Sequence, residues 1–134
     1  MARILVLDDD EAGTRLLDLV FRDEGVEDVH FASLGREALA EMRADPPALL
    51  IFDLRLPDGN GLAIYREAKE HGYSGAALAL TASDRSDPLV KQVQAELGTR
   101  GVVLKTYDID DLMKRVRVLL DPLVVEQATP TYTT

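Results

Sequence analysis

The sequence predicts an α/β fold: a doubly wound, five-stranded parallel sheet with helices on both faces. Three observations carry that expectation. Five short apolar runs alternate with segments of helical spacing. The runs are continuously apolar, as in strands buried on both sides. The order βαβαβαβαβα, joined by right-handed crossovers, then lays helices over both faces of one sheet.

In chain order, Ile4-Leu5-Val6-Leu7 is the first strand and ends in acid. Leu16, Leu17, Val20 and Phe21 give the first helix one apolar face. Val29 to Ala32 is a weaker strand, and Leu49-Leu50-Ile51-Phe52 is a fully apolar one ending at Asp53. Pro57-Asp58-Gly59-Asn60-Gly61 is a turn by composition, with no chemistry beyond shaping a rim. Ile64 and Ala68 mark a further helix. Ala76 to Leu80, closed by Thr81, has poor β-propensity, yet its place in the alternation makes it the fourth strand. Asp87-Pro88 starts a helix as capping carboxylate and first-turn proline, and Val90, Val93 and Leu97 continue it. Val102-Val103-Leu104 ends at Lys105. Asp108 caps the last helix, whose Ile109, Leu112, Met113, Val116, Leu119 and Leu120 share one side. Pro122 ends or kinks it, and Glu126 to Thr134 reads as a flexible tail.

A length of 134 residues is one domain's worth. With no cysteine, disulfides, cysteine-ligated zinc and thiol chemistry are excluded. No apolar run approaches the ~18 residues of a membrane span, and the N-terminus passes through Arg3 straight into a strand-like run, unlike a signal peptide. The expectation is a soluble cytoplasmic domain. Its net charge of -9 repels phosphate backbones, so direct nucleic-acid binding is not expected. The acid is concentrated early, in the block Asp8-Asp9-Asp10-Glu11.

Chemistry gathers after the strands. In an open parallel sheet, ligands bind beyond the carboxyl ends of the strands, where the strand order reverses. In the flavodoxin-like order 2-1-3-4-5 the first and third strands are neighbours, so Asp8, Asp9 and Asp53 converge in one shallow cleft. Three such carboxylates repel by about 1 kcal/mol per pair at ~4 Å even in water. A hard divalent cation offsets this best, and Mg²⁺ suits a few carboxylates with a backbone carbonyl and retained waters. Lys105 adds a compact positive charge and Thr81 a hydroxyl donor. Such a set is what phosphoryl transfer onto an aspartate requires, because catalysis there is positioning and charge neutralisation.

Four stretches carry a resemblance to a known family: Ile4 to Asp9, Asp53 to Gly61, Leu80-Thr81-Ala82, and Lys105. Residues 2–121 resemble the receiver domain of the two-component response regulators, in the stand-alone form typified by the chemotaxis regulator. The proline four residues and the glycine eight residues after Asp53, with all four strand ends filled, make the combination specific. The resemblance implies Asp53 as phosphoacceptor, with Thr81 hydrogen-bonding the phosphoryl group and Lys105 pairing with it. It implies a Mg²⁺ site in which Asp9 binds directly, Asp8 acts through a water, and Asp53 and the backbone carbonyl of Arg55 complete the set. Asp10 is left out of the site. Residues 1–121 form the receiver domain and 122–134 a short tail.

The partners implied are a histidine kinase or phosphotransfer protein as donor, and a downstream protein or a second copy as receiver of the signal. With no effector domain expected after Leu120, output runs through a surface contact. The face of the fourth helix, fifth strand and fifth helix offers Lys91, Arg100, Lys114, Arg115 and Arg117 among apolar residues, with Leu123-Val124-Val125 beyond. The Arg55 side chain is expected over the cleft, altering phosphoryl lifetime. Enzymatic activity is limited to self-phosphorylation and autodephosphorylation.

Two departures from the family pattern bear on the readout. A proline usually follows the family's lysine; here it is Thr106, so a differently shaped loop is expected. An aromatic often stands three residues before that lysine; here it is Val102, which removes the usual coupling of Thr81 movement to ring burial. The alternatives are a pseudo-receiver that serves only as an interaction module, and a Mg²⁺-dependent phosphohydrolase. The latter needs a second acid two residues after the nucleophile, where this chain has Arg55.

Overall fold

The five apolar runs assemble as one parallel sheet, seen in a computed structural model that describes residues 2–105 and 108–120. In chain order the elements are β1 (Ile4–Leu7), α1 (Glu11–Asp23), β2 (Val29–Ala32), α2 (Gly35–Ala44), β3 (Leu49–Phe52), β4 (Arg55–Leu56), β5 (Gly59–Asn60), α3 (Gly61–Glu70), β6 (Ala76–Thr81), α4 (Pro88–Leu97), a 3₁₀ turn at Thr99–Gly101, β7 (Val102–Leu104) and α5 (Ile109–Leu120). The sheet order is β2-β1-β3-β6-β7; β4 and β5 form a separate antiparallel hairpin. Counting sheet strands alone, this is the expected order 2-1-3-4-5.

Successive side chains of a strand face opposite sides, so each apolar run feeds two cores. Leu5, Leu7, Leu50, Phe52, Ala77, Ala79 and Val102 face α2, α3 and α4. Ile4, Val6, Leu49, Ile51, Leu78, Leu80 and Val103 face α1 and α5. The weak β-propensity of the fourth sheet strand has a packing reason. Ala79 lies opposite Phe52 in the register, and Phe52 stacks on Tyr65 of α3 with ring centroids 5.8 Å apart. Small side chains there leave room for the aromatic pair, and the strand's bulk, Leu78 and Leu80, is on the other face.

The helices follow their apolar spacing with one correction. Leu17 and Phe21 of α1 are buried, but Leu16 is 45% exposed and does not belong to the core face. At 3.6 residues per turn, position 16 is rotated about 100° from position 17, away from the sheet. Asp87 caps α4 through the amide of Leu89, with Pro88 beginning the helix. Asp108 accepts from the amide of Asp110 at the start of α5. The predicted turn at 57–61 is the β4–β5 hairpin, closed by Gly59 in the left-handed region. The expectations for Thr106 and for residues 122–134 lie outside the described residues. No helix among the described residues is long and apolar enough to cross a membrane.

Candidate functional site: an acidic cleft at the strand ends

The register Leu7↔Phe52 sets the next residues of β1 and β3 side by side. The amide of Asp8 bonds to Ala32 and that of Asp53 to Leu7, so both backbones stay tethered to the sheet as the strands end. Asp8, Asp9 and Asp53 each bring a carboxylate oxygen to within 4.8 Å of the others. Asp8 and Asp53 are buried, whereas Asp9 is exposed. Gly61 closes the floor: a Cβ there would stand 2.0 Å from the Asp53 carbonyl oxygen, so only glycine lets α3 start so near the site.

Lys105, at the end of β7, offsets part of the charge of the buried pair. Its Nζ lies 2.9 Å from Asp8 Oδ2 and 3.1 Å from Asp53 Oδ2. Burial pushes the lysine pKa down, but the hydrogen bonds to both carboxylates outweigh it and the net direction is up. Burial raises Asp8 above the usual carboxylate value, partly offset by the Asp10 amide and by Lys105. All the donors are hard oxygens, two on buried, sheet-anchored backbone and one open to solvent. That set fits a small divalent cation with remaining positions left to water.

Thr81 is fully buried at the end of β6, and its hydroxyl accepts from the amide of Ser83, 3.1 Å away. Lys105 is tied to the same strand end, its amide donating to Thr81 O at 2.7 Å. The structure thus brings Asp8, Asp9, Asp53 and Lys105 together and sets Thr81 on the adjoining strand with its hydroxyl engaged by its own loop.

The side chain of Arg55 is already engaged at the cleft. Its backbone amide stands 3.5 Å from Asp53 Oδ1, but its guanidinium crosses to Asp87 Oδ2 at 2.6 Å. Asp87 is thereby held below the usual carboxylate range, first by Arg55 and then by the Leu89 amide. Two residues that the sequence did not single out also matter. Asp58 accepts from the amides of Gly35 (2.8 Å) and Arg36 (3.2 Å), capping α2 from across the rim. Leu34, at the N-cap position of α2, has no acceptor to offer. Glu37 Oε1 takes the amide of Leu34. The only local signal for Asp58 was its place in a turn-forming run.

The basic face divides. Arg100, Lys114 and Arg115 line a groove of about 370 Å³ between the 3₁₀ turn and α5, with Leu97 and Val118. Arg115 is committed inward, donating to Val102 O at 2.9 Å. Arg117 leaves this face for Glu24 at the end of α1, 2.7 Å away. His30 and His71 lie outside the cleft, beside Arg3 and Arg43 respectively.

Residues 4–117 match the family model described as response regulator receiver domain. Among curated proteins, the transcriptional regulatory protein TrcR of Mycobacterium tuberculosis is 34% identical over 118 residues, 88% of this chain and 45% of its own length. PhoP of Bacillus subtilis, an alkaline phosphatase synthesis transcriptional regulatory protein, is 30% identical over 88% of this chain and 48% of its own. The chain spans about half the length of these relatives. Among solved structures, a response regulator receiver domain protein from Methanospirillum hungatei superposes with a TM-score of 0.81 at 25% identity, covering 94% of this chain and 98% of that one. A Francisella response regulator receiver domain, at 22% identity and TM-score 0.79, covers 91% and 98% and shares the fold.

Proposed function

The chain belongs to the response regulator receiver family, and from that premise we propose that it accepts a phosphoryl group on Asp53 and passes the signal through its surface. The observation that carries this reading is the convergence of Asp8, Asp9 and Asp53 with Lys105 bonded to the buried pair. The donor is a phosphohistidine on a histidine kinase or a phosphotransfer protein. A carboxylate oxygen of Asp53 attacks phosphorus; the P–N bond breaks with its electron pair on the imidazole nitrogen, which takes up a proton. Asp53 is well placed for this because its backbone is anchored to β1 and its charge is already partly offset.

Asp9, Asp53, the Arg55 carbonyl and, through a water, Asp8 would hold Mg²⁺. When bound, the ion offsets the negative charge gathered on the phosphoryl and carboxylate oxygens. Lys105 is shared between Asp8 and Asp53 and turns toward a phosphoryl oxygen once Asp53 carries one. Thr81 donates its hydroxyl hydrogen to that group. Residues 1–121 act as the receiver domain, in the cytoplasm. Output uses the α4–β7–α5 face, with a downstream protein or a second copy as partner and without direct nucleic-acid contact. Arg100 and Lys114, beside the 370 Å³ groove, supply its charge.

Intact-protein mass after incubation with a small phosphodonor and Mg²⁺ tests the reading. A single phosphoryl adduct is expected, lost in Asp53→Asn and with a chelator. No adduct while Mg²⁺ still binds would turn the domain into an interaction module. That outcome has a motive in Val102, an aliphatic residue buried against α4 at the position where the family resemblance leads one to expect an aromatic.

A further inference from the structure

The ion pair between Arg55 and Asp87 spans the mouth of the acidic cleft. It joins β4, which begins two residues after Asp53, to the cap of α4, 32 residues further along the chain. Its two ends are unlike. The Asp87 side chain is 14% exposed and pinned by the Leu89 amide at 2.9 Å, whereas the Arg55 side chain is 65% exposed on a flexible stem. The carboxylate is the fixed post and the guanidinium the part free to swing. Arg55 is also rooted beside the phosphoacceptor, its own amide 3.5 Å from Asp53 Oδ1. Val102 meanwhile fills the slot between β7 and α4 with an aliphatic side chain, so this position holds no ring to rotate.

We propose that Arg55 is a handover switch, bonded to Asp87 before phosphorylation and to the phosphoryl oxygens on Asp53 after it. The inference rests on the phosphoacceptor reading and adds the route by which that event reaches α4. A phosphoryl group offers a guanidinium more negative charge and more acceptor oxygens than one carboxylate, in a geometry that suits its fork of donors. Moving Arg55 removes the largest interaction holding the Asp87 carboxylate and leaves it the Leu89 amide and the Ser83 side chain. The loop at 82–87 is then released from the opposite wall of the cleft. No covalent step is involved beyond the transfer to Asp53.

Hydrogen exchange at the amides of Leu89 and Lys91 reads the device, since both bond to Asp87. It is run on wild type, Arg55→Ala and Asp87→Asn, with and without phosphodonor and Mg²⁺, and with the adduct measured by mass in each sample. Phosphorylated wild type should exchange these amides roughly two- to fivefold faster, the scale of a weakened helix cap. Unphosphorylated Arg55→Ala should already be at that level and gain nothing on phosphorylation. Asp87→Asn keeps a capping oxygen but loses the ion pair, and should likewise lose the increment. An adduct on wild type with α4 exchange unchanged overturns the handover alone, as does an unaltered increment in phosphorylated Arg55→Ala. No adduct on wild type overturns the phosphoacceptor reading and the handover with it.

Discussion

Lys105 keeps two buried carboxylates together that would otherwise repel. Replacing it by alanine leaves Asp8 and Asp53 facing each other without a cation, which should cost about 1–3 kcal/mol in unfolding without divalent ions. Adding Mg²⁺ should then stabilise Lys105→Ala more than wild type, because the ion supplies the charge that the ammonium no longer does. Equal gains for the two proteins, in denaturant titrations with and without Mg²⁺, would show that the lysine is not compensating this site. Asp8, Asp53 and Lys105 were readable beforehand because each follows an apolar run directly, with Asp9 next to Asp8, and strand ends in a parallel sheet share one edge. The Arg55–Asp87 pair was not. It joins side chains 32 residues apart, and nothing in local spacing says where a long exposed guanidinium comes to rest.

At the scale of elements, the cap of α2 by Asp58 gives a pH signature. The amides of Gly35 and then Arg36 hold the Asp58 carboxyl below its ordinary value of 3.8. A carboxylate with a depressed folded pKa contributes stability that is complete above the unfolded value and fades as pH falls through the lower folded one. Asp58→Ala should therefore lower Tm by about 2–4 °C at neutral pH, and the gap to wild type should shrink in acid below pH ~3.8. A gap that stays constant from neutral pH to pH ~2 would mean the carboxylate charge is not what caps the helix. The elements themselves were mostly legible: β1, β2, β3 and β7 fall on the apolar runs expected of them. What the runs could not convey was the division of labour between the faces of β6. Its alanines suit the Phe52–Tyr65 stack, a contact made across the fold. Leu16 misled for the opposite reason, since apolarity alone does not say which side of α1 meets the sheet.

For the whole molecule, the question is where the signal leaves. If a second copy docks on the α4–β7–α5 face, phosphorylation should raise the mass in sedimentation, and the double change Arg100→Glu with Lys114→Glu should abolish the rise. Arg117→Glu should leave it intact, because Arg117 is engaged with Glu24 on another side. A mass that phosphorylation leaves unchanged in wild type would rule out self-association and direct the search to a different protein. The two walls of the cleft bear on the same question. One wall, at 57–61, is fastened to α2 by Asp58 and seated against the Asp53 carbonyl at Gly61. The other, at 82–87, is fastened to it across the mouth by the exposed guanidinium of Arg55. The wall at 57–61 is thus fastened at two points and the wall at 82–87 by one exposed ion pair, so the loss of that pair is felt at α4 while α2 and α3 keep their moorings.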